Sequence, residues 1–167
     1  KVASLGGTIY ISSKINKGTV VTITLPSTMA IIQALIVNIG EELYAMPLSC
    51  INEVIDITAN QVKKIQNKEV ITVREKTIPL VRMTKVLETP NHVEDLEQDM
   101  TVVIVKSQDK YLGISVTQLI GQQEVVIKPI SKKLCSEHYI SGATTLGNGQ
   151  VALILNINNI NLKSTYQ

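Results

Sequence analysis

What most constrains this chain is a succession of short apolar runs. From Met29 onward "AIIQALIV", "ELYAMPL", "VITV", "TIPLV", "TVVIVK", "YLGISV", "EVVIKPI" and "VALILNI" follow one another, separated by turn-forming residues. Runs of this kind, rich in Val and Ile, read as strands. Their spacing predicts an all-β architecture of small barrels or a sandwich. Short helices are expected at Met83 to Glu88 and at Lys132 to Glu137. No basic residue occurs between Lys85 and Lys106, while Glu88, Glu94, Asp95, Glu97 and Asp99 gather around Pro90. That stretch reads as a solvated connector.

The runs also repeat. A shift of 68 positions sets "IVNIGEELYAMPLSCI" (Ile36 to Ile51) on "IVKSQDKYLGISVTQL" (Ile104 to Leu119) without a gap. Ile36 falls on Ile104, Ala45 on Gly113, Leu48 on Val116 and Ile51 on Leu119. A second block, "REKTIPLV" (Arg74 to Val81), lies on "GNGQVALI" (Gly147 to Ile154) at a shift of 73, pairing Leu80 with Leu153. Two blocks in the same order, with one small length change, indicate a duplication. The expectation is two similar barrels, about 33–90 and 98–162, with strand exchange between them left open.

The front of the chain has a different pattern. "KVASLGGTIYISS" reads as the last turn of a helix, with Val2 and Leu5 on one face and Gly6/Gly7 as its cap, followed by a strand at Thr8 to Ser12. "KINKG" makes a turn, and Val21, Ile23 and Leu25 alternate with Thr22 and Thr24 up to Pro26. A helix end and a hairpin cannot hold a core. Residues 1–27 are therefore expected to be the tail of a larger domain, and the absence of an initiator Met fits a piece of something longer.

Composition excludes several functions. Sixteen basic and fourteen acidic residues give a formal charge of +2, and the basic residues are scattered apart from Lys63/Lys64 and Lys132/Lys133. Phe and Trp are absent, which removes most stacking platforms for single-stranded nucleic acid. Cys50 and Cys135 are too few and too far apart for a disulfide framework or zinc site; they read as packing residues. No apolar run spans a membrane, so a cytoplasmic location is the expectation.

Catalytic groups are scarce. His92 lies beside Pro90/Asn91 and His138 in "SEHYIS", neither with a partner at ligand spacing. "GATTLGNGQ" (Gly142 to Gln150) is glycine-rich, but a strand follows it, whereas a phosphate cradle needs a helix N-terminus. A hairpin turn at Gly147 to Gly149 is the simpler reading. No catalytic residue and no metal ligand is assigned.

"LGGTIYISSKINKGTVVTITLPSTMAIIQALIV" resembles the junction between the ATP-binding domain and the CheW-like regulatory domain of the CheA family of bacterial chemotaxis histidine kinases. "LIGQQEVVIKPI" (Leu119 to Ile130) and "ISGATTLGNGQVALILNIN" (Ile140 to Asn158) resemble the same family's second barrel. The resemblance implies two SH3-like five-stranded β-barrels over 28–167. Before them would stand a helix-end and hairpin remnant of an α+β ATPase domain over 1–27. Gly18 and Thr19 match the family's last nucleotide-site box. The asparagine box, the Asp-x-Gly box and the ATP lid are not in this chain, so the fragment is expected to be inactive and to hold no cofactor. The parent would be a kinase using ATP and Mg, working as a homodimer.

The resemblance further implies partners: the CheW adaptor and the cytoplasmic tips of chemoreceptors, in membrane-associated arrays, with no nucleic acid and no direct membrane insertion. Partner-binding stretches of CheW-like domains align on Ile51 and Glu53, on Arg74, and on Leu119 and Gln122. The alternative for Ile51 and Leu119 is barrel core, and for Arg74 a solvated hairpin charge. Where many CheW proteins have Arg-Gly, this chain has Arg74-Glu75, a departure that bears on the tightness of that turn. The rival function is an SH3-like or OB-like nucleic-acid module, which would need clustered cations and exposed aromatics.

Overall fold

The computed structural model describes residues 8–15, 17–24, 31–66, 68–87, 99–107, 110–130 and 139–160. The expected helix end before Thr8, the helix at Lys132 to Glu137, most of the acidic connector, His92, Cys135 and His138 lie outside the described residues. The chain divides into two compact units, Lys1–Ala30 and Ile31–Gln167.

The first unit contains one antiparallel hairpin, β1 (Thr8–Lys14) with β2 (Gly18–Thr24), in which Lys14 faces Gly18. The Lys17 N–H donates to the Lys14 carbonyl at 3.0 Å, and Gly18 takes φ 96°, where a side chain would be strained. Every residue of both strands is exposed.

The second unit is nearly all strand. In chain order it has β3 (Ile31–Ile39), β4 (Glu42–Pro47), β5 (Ile51–Ile57), β6 (Lys63–Ile65), β7 (Lys68–Val73) and β8 (Lys76–Arg82). A one-turn helix α1 (Met83–Val86) follows, then β9 (Met100–Ser107), β10 (Lys110–Val116), β11 (Gln118–Val126), β12 (Ile140–Thr145) and β13 (Val151–Leu155). The eight apolar runs all fall on strands. Sequence reading passed over β5, β6 and β12: "INEVIDI" interleaves charges, and "ISGATT" is too polar and too small to stand out.

The two sheets are built across the repeat. One runs β5-β9-β10-β8-β7-β6 and the other β11-β3-β4-β13-β12. Each takes its central hairpin from one half of the chain and flanking strands from the other. The five-stranded sheet also meets itself end to end: Lys128, just past β11, exchanges both backbone hydrogen bonds with Ala143 of β12, at 2.8 and 2.9 Å. The other sheet owes its sixth strand to β6, which a turn at Gln66 (φ 47°) folds onto β7.

Pairing register tests the duplication residue by residue. Ile36 sits opposite Ala45 and Gly121, and Ile104 opposite Gly113 and Glu53, as the first shift requires. The second block needs a correction. Leu80 faces Gly113 where Ile154, not Leu153, faces Ala45. The cause is one extra residue in a turn: two residues, Arg74-Glu75, join β7 to β8, but three, Gly147 to Gly149, separate Leu146 from Gln150. A one-residue slip turns every side chain to the other face, and the repeat aligned on apolar letters alone did not feel it.

Three apolar cores result. Ala34 and Ile36 of β3 point into the five-stranded sheet with Ala152 and Ile154, while Leu35 and Val37 point the other way. Likewise Val102 and Ile104 of β9 fill the six-stranded sheet with Ile71, Ile78 and Leu80, while Val103 and Val105 turn outward. The outward sets meet in a shared core with Tyr44, Met46, Met83, Ile114 and Leu155. Strands buried on both faces lose alternation and become continuous apolar runs, which is why β3 and β9 were so visible.

Candidate functional site

The two sheets carry a β-bulge at the same repeat position. In β5 the register slips between Ile51 and Glu53, and in β11 between Leu119 and Gly121. Bulges bend a strand and re-aim its side chains. Gly121 has φ 150°, outside the range comfortable for other residues, whereas Glu53 is not strained in this way. The extra residues, Asn52 and Ile120, both point to a groove beside a hairpin tip.

On the six-stranded sheet the groove is small, about 180 Å³, and lies between Asn52, Glu53, Arg74, Lys76 and Tyr111. Two of the sequence-derived residues meet here: the Arg74 guanidinium donates to Glu53 Oε2 at 3.0 Å. The Arg74 side chain is 80% exposed, so the pair adds at most about 1 kcal/mol. Lys76 Nζ lies 5.6 Å from the Tyr111 ring centre, within cation–π range. The turn that presents Arg74 stays tight without glycine: Arg74 and Glu75 take φ 46° and 68°, values that suit a two-residue hairpin but strain L side chains.

On the five-stranded sheet the groove is larger, about 640 Å³, and is bordered by Leu43, Ile120, Val151, Asn148, Gln150 and Glu41. Ile120 is 48% exposed and Val151 62%. Leu119 is 38% exposed, and Gln122 is exposed on the same strand opposite Leu35. Ile51, its repeat mate, is instead half-buried and packs against the shared core. Val151 escaped sequence reading because it opens the apolar run "VALIL", and Ile120 because nothing in a strand pattern marks a bulge before the register is known. The Gly121 that permits it was the available signal.

Gly18 and Thr19 belong to the first unit, at the start of β2, where the Thr19 and Ser13 hydroxyls are 2.9 Å apart. Cys50 is half-buried and free, with its sulfur 3.9 Å from the Ser49 hydroxyl. The "GATTLGNGQ" segment forms the β12–β13 hairpin, with the Gly149 N–H donating to the Leu146 carbonyl at 2.9 Å. Among the described residues no group of three or more His, Cys, Asp or Glu could hold a metal, and no helix is long and apolar enough to cross a membrane. The site is two grooves and an apolar ledge, suited to gripping another macromolecule.

The family model described as the CheW-like domain matches residues 33–163. The chain is 37% identical over 156 residues to the chemotaxis protein CheA of Treponema pallidum (strain Nichols), covering 93% of this chain and 19% of that protein. To the chemotaxis protein CheA of Bacillus subtilis (strain 168) it is 37% identical over 158 residues, with 95% and 23% covered. The sensor histidine kinase CheAY of Helicobacter pylori (strain ATCC 700392 / 26695) is 36% identical over 156 residues, with 93% and 19% covered. The chain thus spans less than a quarter of the length of these relatives. Among solved structures, the scaffolding protein TtCheW from Thermoanaerobacter tengcongensis shares the fold, with a TM-score of 0.68 at 16% identity over 83% of this chain and 98% of that one.

Proposed function

The chain belongs to the CheW-like domain family, and we propose that it is the coupling module of a chemotaxis histidine kinase, carrying receptor state to a catalytic domain elsewhere in the parent protein. On this reading residues 28–167 are the regulatory domain, both sheets closing as SH3-like barrels, and 1–27 are the tail of the ATP-binding domain, with Gly18 and Thr19 its last box. The parent is an ATP- and Mg-dependent homodimer working in receptor arrays, and the fragment by itself is inactive. Its partners are the CheW adaptor and the chemoreceptor tips. The family match gives the nucleic-acid alternative no support.

The observation that carries this reading is the pair of consecutive aliphatic residues, Leu119 and Ile120, left exposed at the bulge of β11. From Gln118 to Glu124 every residue of this end strand but Gly121 is exposed, so both faces meet solvent there and neither aliphatic side chain is covered. Apolar anchors at an interface centre typically cost about 2 kcal/mol or more when lost. Leu119→Asp should therefore weaken adaptor binding by about 30-fold in a calorimetric titration. In the parent kinase it should abolish receptor control and leave basal ATP turnover largely intact. A folded variant with unchanged affinity for adaptor and receptor would remove Leu119 from the interface, and an unfolded one would assign it to the core.

A further inference from the structure

The chain passes from the six-stranded to the five-stranded sheet through a single residue, Thr117, between the end of β10 at Val116 and the start of β11 at Gln118. That residue is tied at two points to the turn between β3 and β4. Its N–H donates to the Asn38 carbonyl at 2.8 Å, and its hydroxyl accepts the Gly40 N–H at 2.9 Å. Gly40, at φ 64°, opens a two-residue turn between Ile39 and Glu42, in which the first N–H points away from the hairpin and needs an outside acceptor. The corresponding passage in the first half, from β4 to β5, takes three residues in a 3-10 turn, Leu48 to Cys50. There Ser49 stands at the position of Thr117, and among the described residues its hydroxyl meets the Cys50 sulfur at 3.9 Å. One passage is held through a side-chain hydroxyl; the other closes on its own backbone, the Ile51 N–H donating to the Leu48 carbonyl.

We propose that Thr117 is a positioning residue for the binding ledge: its hydroxyl fixes where β11 enters the five-stranded sheet, and so where Leu119 and Ile120 are presented. The inference rests on the reading of that ledge as a partner surface. Two residues past the clamp the strand must bulge, and Gly121 supplies the backbone freedom on the far side. With a hinge-like glycine behind the ledge, its direction is set from the front. Loss of the hydroxyl removes one of the two ties, leaving the Thr117 N–H on the Asn38 carbonyl, and leaves the ledge present but less firmly aimed.

The test uses the 167-residue chain with three substitutions. Thr117→Val keeps the shape and removes the hydroxyl, Thr117→Ser keeps the hydroxyl, and Thr117→Ala removes it without added bulk. Hydrogen exchange followed by NMR on the free chain should show the amides of Gly40 and of Leu119 to Gly121 exchanging about fivefold faster in the Val and Ala variants and as in the parent chain in the Ser variant, the change expected for one lost hydrogen bond. Adaptor affinity should fall and recover in the same order. Unchanged exchange in the Val and Ala variants overturns the positioning role. Faster exchange with unchanged adaptor affinity upholds the clamp and overturns the reading of the ledge as a partner surface. Global unfolding of both hydroxyl-free variants would make Thr117 a support of the whole fold and also overturn the proposal.

Discussion

Where the six-stranded sheet sets Arg74 and Lys76 beside its bulge, the five-stranded sheet sets Asn148 and Gln150. Asn52 is answered by Ile120 and Tyr111 by Leu43. The frame is common: the same bulge and the same strand start, beside a hairpin tip that is one residue longer in the five-stranded sheet. In the first groove the charged groups satisfy each other, Arg74 on Glu53 and Lys76 over Tyr111, and little space is left. In the second, Glu41 and Glu42 stand on the border with no cation among the lining residues, and the Ile120 and Val151 side chains remain in contact with water. Duplication thus preserved a scaffold while its two mouths diverged, one lined by a paired cation and carboxylate and the other by aliphatic side chains and two carboxylates.

The difference extends below the surface, and the largest expected effect tests it there. Arg82 donates to Glu69 at 2.7 Å with both side chains nearly buried, 8% and 12% exposed. The matching positions in the other sheet are Asn156 and Gly142, with no such pair. Arg82→Met should cost about 3 kcal/mol, seen as a lower urea midpoint, because the carboxylate keeps its desolvation and loses its guanidinium; adding Glu69→Leu should recover much of it. Next comes Gly142, where a Cβ would lie 2.8 Å from the Lys128 carbonyl oxygen and 3.0 Å from an Ile127 methyl. Gly142→Ala should cost about 2 kcal/mol and expose the Lys128 and Ala143 amides to exchange, opening the five-stranded sheet at its seam. The smallest effect concerns the turns. Glu75→Gly relieves a left-handed side chain at the price of a looser unfolded chain; a net gain of about 0.5 kcal/mol in thermal unfolding is expected. A loss instead would mean that the Glu75 side chain makes up for its backbone strain.

Apolar runs made eight strands legible, because β3, β9 and their neighbours bury both faces and leave no polar letters to break the run. The same burial hid the architecture. Nothing local distinguishes β9 pairing with β5 of the other half from β3 doing so, since Ile36 and Ile104 are equivalent in both schemes. Glu53 and Arg74 were legible as site residues only through resemblance; their ion pair joins β5 to the β7–β8 turn, which the chain order separates. Ile120 was legible only through its neighbour Gly121, because β11 is open on both faces from Gln118 to Glu124 and strand periodicity assigns faces only where one of them is covered.

The crossing of strands between halves bears on how the polypeptide is made. A nascent chain that has left the ribosome as far as Leu87 already carries β3 through β8, yet β3 and β4 need β11 and β13 as neighbours, and β5 and β8 need β9 and β10. Vectorial synthesis therefore gives the first half no finished unit in which to shelter. Its aliphatic faces must wait for the remainder, and assembly then proceeds through pairings distant in sequence, the kind that close in milliseconds to seconds rather than microseconds. During that interval the half-made domain is the species a chaperone would meet.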